Sequence, residues 1–444
     1  MLKHRSTQLL TLLSLTWGMG SAWAQEGAPL TLQDAVLKAL SSNPEVLASW
    51  ENKQANTQLV RQARAGYFPT LDLAAGYGKE VTDNTTTRAA NKGTTTMNRG
   101  ESSATVSQKL FDGLSTYTNV KRAKASDQSS LHAFDRTAEK VGRQAMEAFM
   151  ERAKQQQILA LTAENVQDHE ETLKKLKALA AGGQGKKADV QQTESRLFSA
   201  KDTLVQAKGK INIAGATYER VIGESPGMLA TPALPKENLP ETLDQALEIA
   251  AQMHPLLLGS QQDLNAATFA KLKSRSSFMP SITLDLTASN NGNVSGTRGY
   301  AQAMSAMLNM KYNIFNGGSD LAAYRESDHR INQTRETLSL NQRTVREQVI
   351  TAWEQMEMAK HSVALVEKQV KAQQDTVKSY LQEFELDKRT HLDVLNAKNE
   401  LYRARVQQVS GNFDYIMRVY QLWSAMGVMR ENMGLHQTPV MAKH

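Results

Sequence analysis

Few residues of this chain are spaced for bond-making chemistry. His169-Glu170 begins like a zinc-binding HExxH helix, but the second histidine is missing, and the nine histidines are otherwise scattered. Residues 182–187, Gly-Gly-Gln-Gly-Lys-Lys, superficially match a phosphate loop, yet Ala180 replaces its first glycine and Lys187 stands where Ser or Thr would bind magnesium. With no cysteine, the chain has no disulfide, thiolate metal site, thiol nucleophile or acylated N-terminal cysteine. No enzyme activity, cofactor or metal is expected. A different chemistry is available to Arg389 and Asp393, which flank a predicted helix start. Copies of Asp393 converging on the axis of an oligomer would form a ring that attracts cations and repels anions. An ion pair at a hairpin end would be a latch worth about 0 to 1 kcal/mol, weak enough for a partner to break. The same two residues would also serve simply to cap a turn and start a helix, since an acidic side chain is favoured near a helix N-terminus.

The elements that would carry these residues are very long helices. Between Ser319 and about Leu386 there is neither proline nor glycine. Val349, Met356, Val363, Val370, Val377 and Phe384 recur every seven residues, with Ala352, Ala359, Val366, Gln373 and Tyr380 between them. Such a helix is about 100 Å long at 1.5 Å per residue. The stretch from about Leu114 to Ala181 repeats the pattern through Leu159, Val166, Leu173 and Ala180, with Gly142 its one early breaker. Each ends in a turn, at 182–185 and 386–389, and returns as a second helix, over 188–222 and 391–427. Two coiled-coil hairpins are predicted.

The resemblance between these stretches extends to the whole chain. Thr31-Leu32-Gln33-Asp34-Ala35 and Asn43-Pro44 match Thr242-Leu243-Asp244-Gln245-Ala246 and His254-Pro255. Further on, Phe111-Asp112-Gly113 matches Phe315-Asn316-Gly317, Asp189-Val190 matches Asp393-Val394, and Gly223 matches Gly427. Pro226, Pro232, Pro235 and Pro240 punctuate the join. Two repeats are therefore expected, at 25–225 and 241–430, with a linker at 226–240 and a tail at 431–444.

Within each repeat the period changes from helical to alternating. Leu71, Leu73 and Tyr77 share one face of a strand, as do Ile282, Leu284 and Leu286 of another and Met304, Leu308, Met310, Tyr312 and Ile314 of a third. Each repeat should supply one β-hairpin, at about 69–111 and 280–315, the first with a Gly/Asn/Thr-rich loop over 81–98 between its strands. Strands of about ten residues with one apolar face suit a membrane barrel, those side chains meeting lipid. They suit equally a soluble sheet packed on helices, which would make the protein a periplasmic coiled-coil scaffold. Four strands cannot close a barrel alone, and an open edge cannot sit in lipid, so the membrane reading requires oligomerisation.

The first 24 residues read as a signal peptide, with Lys3 and Arg5, an apolar stretch from Leu9 to Met19 and Ala22-Trp23-Ala24 as its cleavage site. No later apolar run is long enough for a spanning helix, so any insertion uses strands. The net charge of +7 is interspersed with acidic residues along the helices, and an exported chain has no nucleic-acid partner.

These features together resemble the TolC family of outer-membrane efflux and secretion proteins. The resemblance rests on the duplicated helix–strand–strand–helix order, the Asn43-Pro44 and His254-Pro255 breaks, Phe68-Pro69 and Met279-Pro280 before the strands, LFDG and IFNGG after them, and the two Asp-Val helix starts. It implies a mainly α protein with a membrane β-barrel, four strands per chain completing a 12-stranded barrel and a helical tunnel as a homotrimer. The implied location is the cell outer membrane, with the helices in the periplasm. The implied partners are a periplasmic adaptor (membrane-fusion protein), an inner-membrane transporter and outer-membrane lipid. The family's gate pattern falls on Phe384, Arg389, Asp393 and Asn396, with Asp189 as acceptor for Arg389. Phe384 lacks the hydroxyl of the family's usual tyrosine, and Asn396 replaces an aspartate. The adaptor-contacting tips fall on Gly182, Gly183 and Gln184 and on Leu386, Asp387 and Lys388. Type I secretion of large polypeptides is the expected role, favoured by the basic, glycine-rich turn GGQGKKADVQQTESRL, with multidrug efflux as the alternative.

Overall fold

Each half of the chain runs through the same elements. In the first, α1 (Leu32–Ser42) and α2 (Pro44–Ala65) lead to β1 (Thr70–Thr82), a short α3 (Thr85–Ala89), β2 (Thr95–Phe111), α4 (Ser115–Ala181) and α5 (Lys187–Ile222). In the second, α6 (Leu243–Met253) and α7 (Pro255–Ser274) lead to β3 (Ser281–Gly292), β4 (Tyr300–Lys311), α8 (Ser319–Glu385), α9 (His391–Met426) and α10 (Met429–Asn432). The computed structural model describes residues 29–235, 238–386 and 388–435. The expected signal peptide, Asp387 and most of the C-terminal tail lie outside these residues.

Local chemistry explains the repeated joints. Asn43 caps α2 by accepting from the Glu45 amide at 2.9 Å, and His254 caps α7 through Nδ1, which accepts from the Leu256 amide at 3.1 Å. In both helices proline takes the first position, where no N–H is needed. Gly113 and Gly317 turn the chain out of the sheet with φ of +64° and +60°, and Gly223 and Gly427 end α5 and α9 with φ of +92° and +79°.

Three sequence expectations need correction. The 81–98 segment is not all loop: β1 reaches Thr82, Asn84 and Thr87 form a capping box that starts α3, and β2 begins at Thr95. The last strand ends at Lys311, short of Tyr312 and Ile314, because its partner Ser281 follows Pro280, which has no N–H to extend the ladder. Gly142 breaks nothing; it lies inside α4, where its missing side chain leaves room for Met429 and Val36.

The largest core lies where the two halves meet, around Val36, Leu40, Trp50, Phe134, Met146, Phe149, Tyr218, Val349, Leu422 and Met426. Trp50 meets Phe134 edge-on at 5.2 Å. The coiled coils extend from this core with narrow seams of their own, Val166, Leu173, Leu197 and Ala200 in α4/α5, and Val366, Val370, Val377, Ala397 and Leu401 in α8/α9. The packed pairs place the helices side by side in the order α5–α4–α9–α8 towards the hairpin ends and α2–α4–α7–α8 towards the sheet. The sheet keeps the same lateral order, β1–β2–β3–β4, all antiparallel.

Candidate functional site

The register sorts the strand side chains into two faces. Leu71, Val106, Leu286 and Ala306 share one row, Leu73, Ala104, Ala288 and Met304 the next, and Leu284 and Leu308 another. Tyr77 and Tyr300 end this face, 82% and 84% exposed. The opposite face is mostly polar: Asn309 donates to Asp285 at 2.6 Å, and the hydroxyls of Thr105 and Thr287 lie 3.3 Å apart. Met307, opposite Asp285, is one of its few apolar side chains. Among the described residues no helix layer covers the apolar face, and Leu73 and Met304 are 76% and 90% exposed. A soluble scaffold would bury that face. A strand of 12 residues tilted about 40° covers about 30 Å of height, enough for the apolar band of a membrane barrel.

At the far end of the molecule lie the hairpin tips. Gly183 turns with φ of +74°, and the amides of Gln184 and Gly185 both donate to the Leu179 carbonyl, at 3.0 and 3.1 Å. In the second tip the Lys388 amide donates to the Glu383 carbonyl at 2.9 Å. Gly182, Gly183, Gln184, Leu386 and Lys388 are all exposed, whereas Asp387 lies outside the described residues.

Beside the second tip, three of the expected gate residues, Phe384, Arg389 and Asp393, share one turn, and Arg389 is paired within it. Arg389 Nε donates to Glu383 Oε2 at 2.7 Å, and the guanidinium lies 4.2 Å from the centre of the Tyr380 ring. Glu383 holds the guanidinium in its charged form. Phe384 packs on His391 at 4.2 Å, closing the turn. Burial, and then the charge of Lys175, lower the pKa of His391. Asp393 accepts from the Thr390 amide at 3.0 Å and from its hydroxyl at 2.8 Å, and these bonds hold its carboxyl below the usual range. The helix-capping role thus exists within the single chain. Asp189 is half-buried in the first turn of α5, and among the described residues its carboxylate has no partner; in particular it does not meet Arg389.

Several links between the hairpins escaped sequence reasoning. Asn396, placed in the gate pattern, accepts from Arg196 of α5. Lys398 bonds Asp168 at 2.6 Å, and the hydroxyls of Tyr402 and Thr162 are 3.0 Å apart. His169 is buried beside this cluster with Nδ1 unpartnered among the described residues, and burial lowers its pKa, helped by Arg196. Tyr380, whose spacing places it in the coiled-coil seam, also supplies the aromatic surface under Arg389. A sequence signal existed in its position nine residues before Arg389, on the turn preceding Phe384.

A four-stranded sheet with an outward apolar face and two free edges, set above long coiled-coil hairpins, defines one subunit of a membrane channel with a helical tunnel. The sequence model of the outer membrane efflux protein family matches residues 35–224 and 246–428, and the chain belongs to this family, that of the TolC channels. The outer membrane efflux protein BepC of Brucella suis is 29% identical over 400 residues, covering 90% of this chain and 86% of BepC. The alkaline protease secretion protein AprF of Pseudomonas aeruginosa is 23% identical over 432 residues, covering 94% and 89%. Among solved structures, the CmeC outer membrane channel of Campylobacter jejuni superposes with a TM-score of 0.77 at 12% identity, covering 95% of this chain and 94% of CmeC. The protein is an outer-membrane efflux or secretion channel and not an enzyme, with its helical part in the periplasm.

Proposed function

We propose that three copies of this chain form the exit duct of a tripartite export system, working with a periplasmic adaptor and an inner-membrane transporter, and that its route is type I secretion of large polypeptides. The observation that carries the duct is the pair of free sheet edges, β1 and β4. Three copies would pair each β4 with a neighbouring β1 and give twelve strands, abolishing the edges that lipid cannot solvate. The apolar row of Leu71, Leu73, Tyr77, Ile282, Leu284, Leu286, Met304, Leu308 and Met310 then meets outer-membrane lipid. Energy comes from the inner-membrane transporter.

The gate reading places Asp393 of each copy near the axis of the tunnel, with Arg389 as the latch. Arg389 has two available acceptors in this reading, Glu383 in its own chain and Asp189 of a neighbour. Breaking a latch of about 0 to 1 kcal/mol lies within the reach of partner binding. The adaptor meets the exposed tips, through Gly182, Gly183 and Gln184 of one and Leu386 and Lys388 of the other.

Two observations support secretion: the basic, glycine-rich first tip, and AprF, whose name assigns it to protease secretion. BepC, named for efflux, keeps multidrug efflux as the second reading. Deleting the gene and measuring polypeptides in the medium alongside drug susceptibility separates the two. Loss of a secreted polypeptide with unchanged susceptibility supports secretion, and hypersensitivity with an unchanged secretome supports efflux.

A further inference from the structure

The positive charge of the chain is concentrated where its helices meet the sheet. Residues 57–66 at the end of α2, 115–125 at the start of α4 and 266–275 at the end of α7 hold eight lysines and arginines and no aspartate or glutamate, whereas the whole chain has an excess of only seven. The helix dipole favours Arg64 and Arg275 at C-terminal ends but gives no reason for Lys121 and Lys124 in the early turns of α4. Arg61, Arg64, Lys124 and Arg275 are exposed, and Lys121 lies 5.7 Å from the centre of the Tyr117 ring. Among the described residues none of these five is ion-paired, although Lys53 and Lys271 nearby hold Asp127 and Asp328.

The three helices turn these side chains to one side. Lower down, α1, α6 and α10 pack as an extra layer on one face of the wall formed by α2, α4, α7 and α8. A duct has no room for that layer in its lumen, so the layer marks the outer face. On this face Asp135 of α4 meets Arg430 of α10 at 2.9 Å. Lys124 and Lys121 precede Asp135 by 11 and 14 residues, within about 40° of its direction at 100° per residue. Arg61 and Arg64 follow Trp50, packed in the core shared with α1, by the same two intervals. Arg275 follows Gln261 by 14 residues, and Gln261 lines the groove between α7 and α6.

Their height matches a membrane surface. Phe68, Tyr117 and Phe315, 68%, 49% and 81% exposed, stand where the strands join the helices, the level at which aromatic rings mark the edge of a bilayer. Arg64 and Arg61 lie about 2 and 6 Å below the end of α2, and Lys121 and Lys124 about 9 and 14 Å below the start of α4. A headgroup layer is about 5 to 8 Å thick, and long basic side chains reach upward into it. We infer that Arg61, Arg64, Lys121, Lys124 and Arg275 form a basic collar that binds anionic phospholipid headgroups of the periplasmic leaflet. Unpaired guanidinium forks match phosphate oxygens, and a cluster of cations beside a membrane is drawn to anionic lipid. The collar rests on the barrel reading above and adds to it a lipid class and the residues that select it.

The test compares purified full-length channels in mixed micelles with equal amounts of phosphatidylglycerol and phosphatidylethanolamine, the retained lipid being extracted and weighed by mass spectrometry. Wild-type trimer should retain phosphatidylglycerol over phosphatidylethanolamine by about fivefold or more, the effect of one well-placed charge at an anionic surface. Replacing all five collar residues with Gln should bring the ratio close to one. Replacing Lys174, Lys208, Lys368, Lys371 and Lys378, towards the tips, with Gln should leave it at the wild-type value. Should the collar variant fail to assemble, Lys121→Gln with Lys124→Gln replaces it and should at least halve the ratio; an unchanged ratio would overturn the collar. Wild-type trimers that retain both lipids equally would overturn the collar and leave the duct standing. Binding to isolated peptidoglycan that the collar variant loses, with its lipid ratio unchanged, would assign these cations to the cell wall and overturn the lipid proposal. Wild-type protein that runs as a monomer on unheated gels and is absent from the membrane fraction would overturn the duct and the collar together.

Discussion

The guanidinium of Arg389 rests 4.2 Å from the centre of the Tyr380 ring, nine residues earlier in the chain, so the turn between α8 and α9 is clasped across its own base. The bond to Glu383 and the Phe384–His391 contact close the same turn. In the proposed gate, Arg389 would exchange Glu383 for another acceptor while keeping this aromatic support.

Replacing Arg389 with Ser should raise the conductance of purified channels in planar bilayers and leave the trimer intact on unheated gels. Tyr380→Leu, which removes only the support, should give a smaller rise. Conductance equal to wild type in the Arg389 variant would remove Arg389 from the gate.

Asp393 divides its carboxylate between a cap and any role on the axis. Thr390→Ala should destabilise the start of α9 by about 1 kcal/mol while leaving ion selectivity unchanged. Asp393→Asn keeps a capping oxygen and should reduce the preference for cations, read as the reversal potential in a salt gradient. An unaltered reversal potential would leave Asp393 with the cap alone.

His254 predicts a pH dependence. Burial, helped by Arg136, brings its pKa down to about 4 from 6.5, and Nδ1 must stay unprotonated to accept from the Leu256 amide. Its folded value lies below its unfolded value, so the unfolded chain takes up the proton first. Its stabilisation is complete above about pH 6.5 and is lost as the pH falls towards 4, by a total on the order of 3 kcal/mol. His254→Asn, copying Asn43 of the first half, should keep the cap and flatten the fall in melting temperature between pH 7 and pH 4.5. An equally steep fall in the variant would locate the acid-sensitive group elsewhere.

Leu284 faces Leu308 directly across the β3–β4 pair. Leu284→Arg should hinder outer-membrane assembly by about 2 to 4 kcal/mol near the midplane, seen as loss of trimer from the membrane fraction. Thr287→Arg, on the polar face, should assemble normally. Equal assembly of both variants would reverse the assignment of faces.

The sequence by itself determined the elements. Two proline-free stretches with seven-residue apolar spacing could only be long helices, and the alternation through Leu284 and Leu308 could only be strands, because each period fixes which side chains share a face. The matching Asn43-Pro44 and His254-Pro255 joints, and the glycines at 113, 317, 223 and 427, were legible because each needs one particular backbone geometry. Contacts between elements distant in sequence were not legible. Periodicity specifies a face but not its partner, so Arg389 could be placed at the tip but not assigned to Glu383, and Asn396 could not be joined to Arg196, 200 positions away. Tertiary structure decided those pairings. It also decided the lateral order that leaves β1 with α5 on one edge and β4 with α8 on the other, since that order arises only when both halves pack around the shared core of Trp50, Phe134 and Leu422.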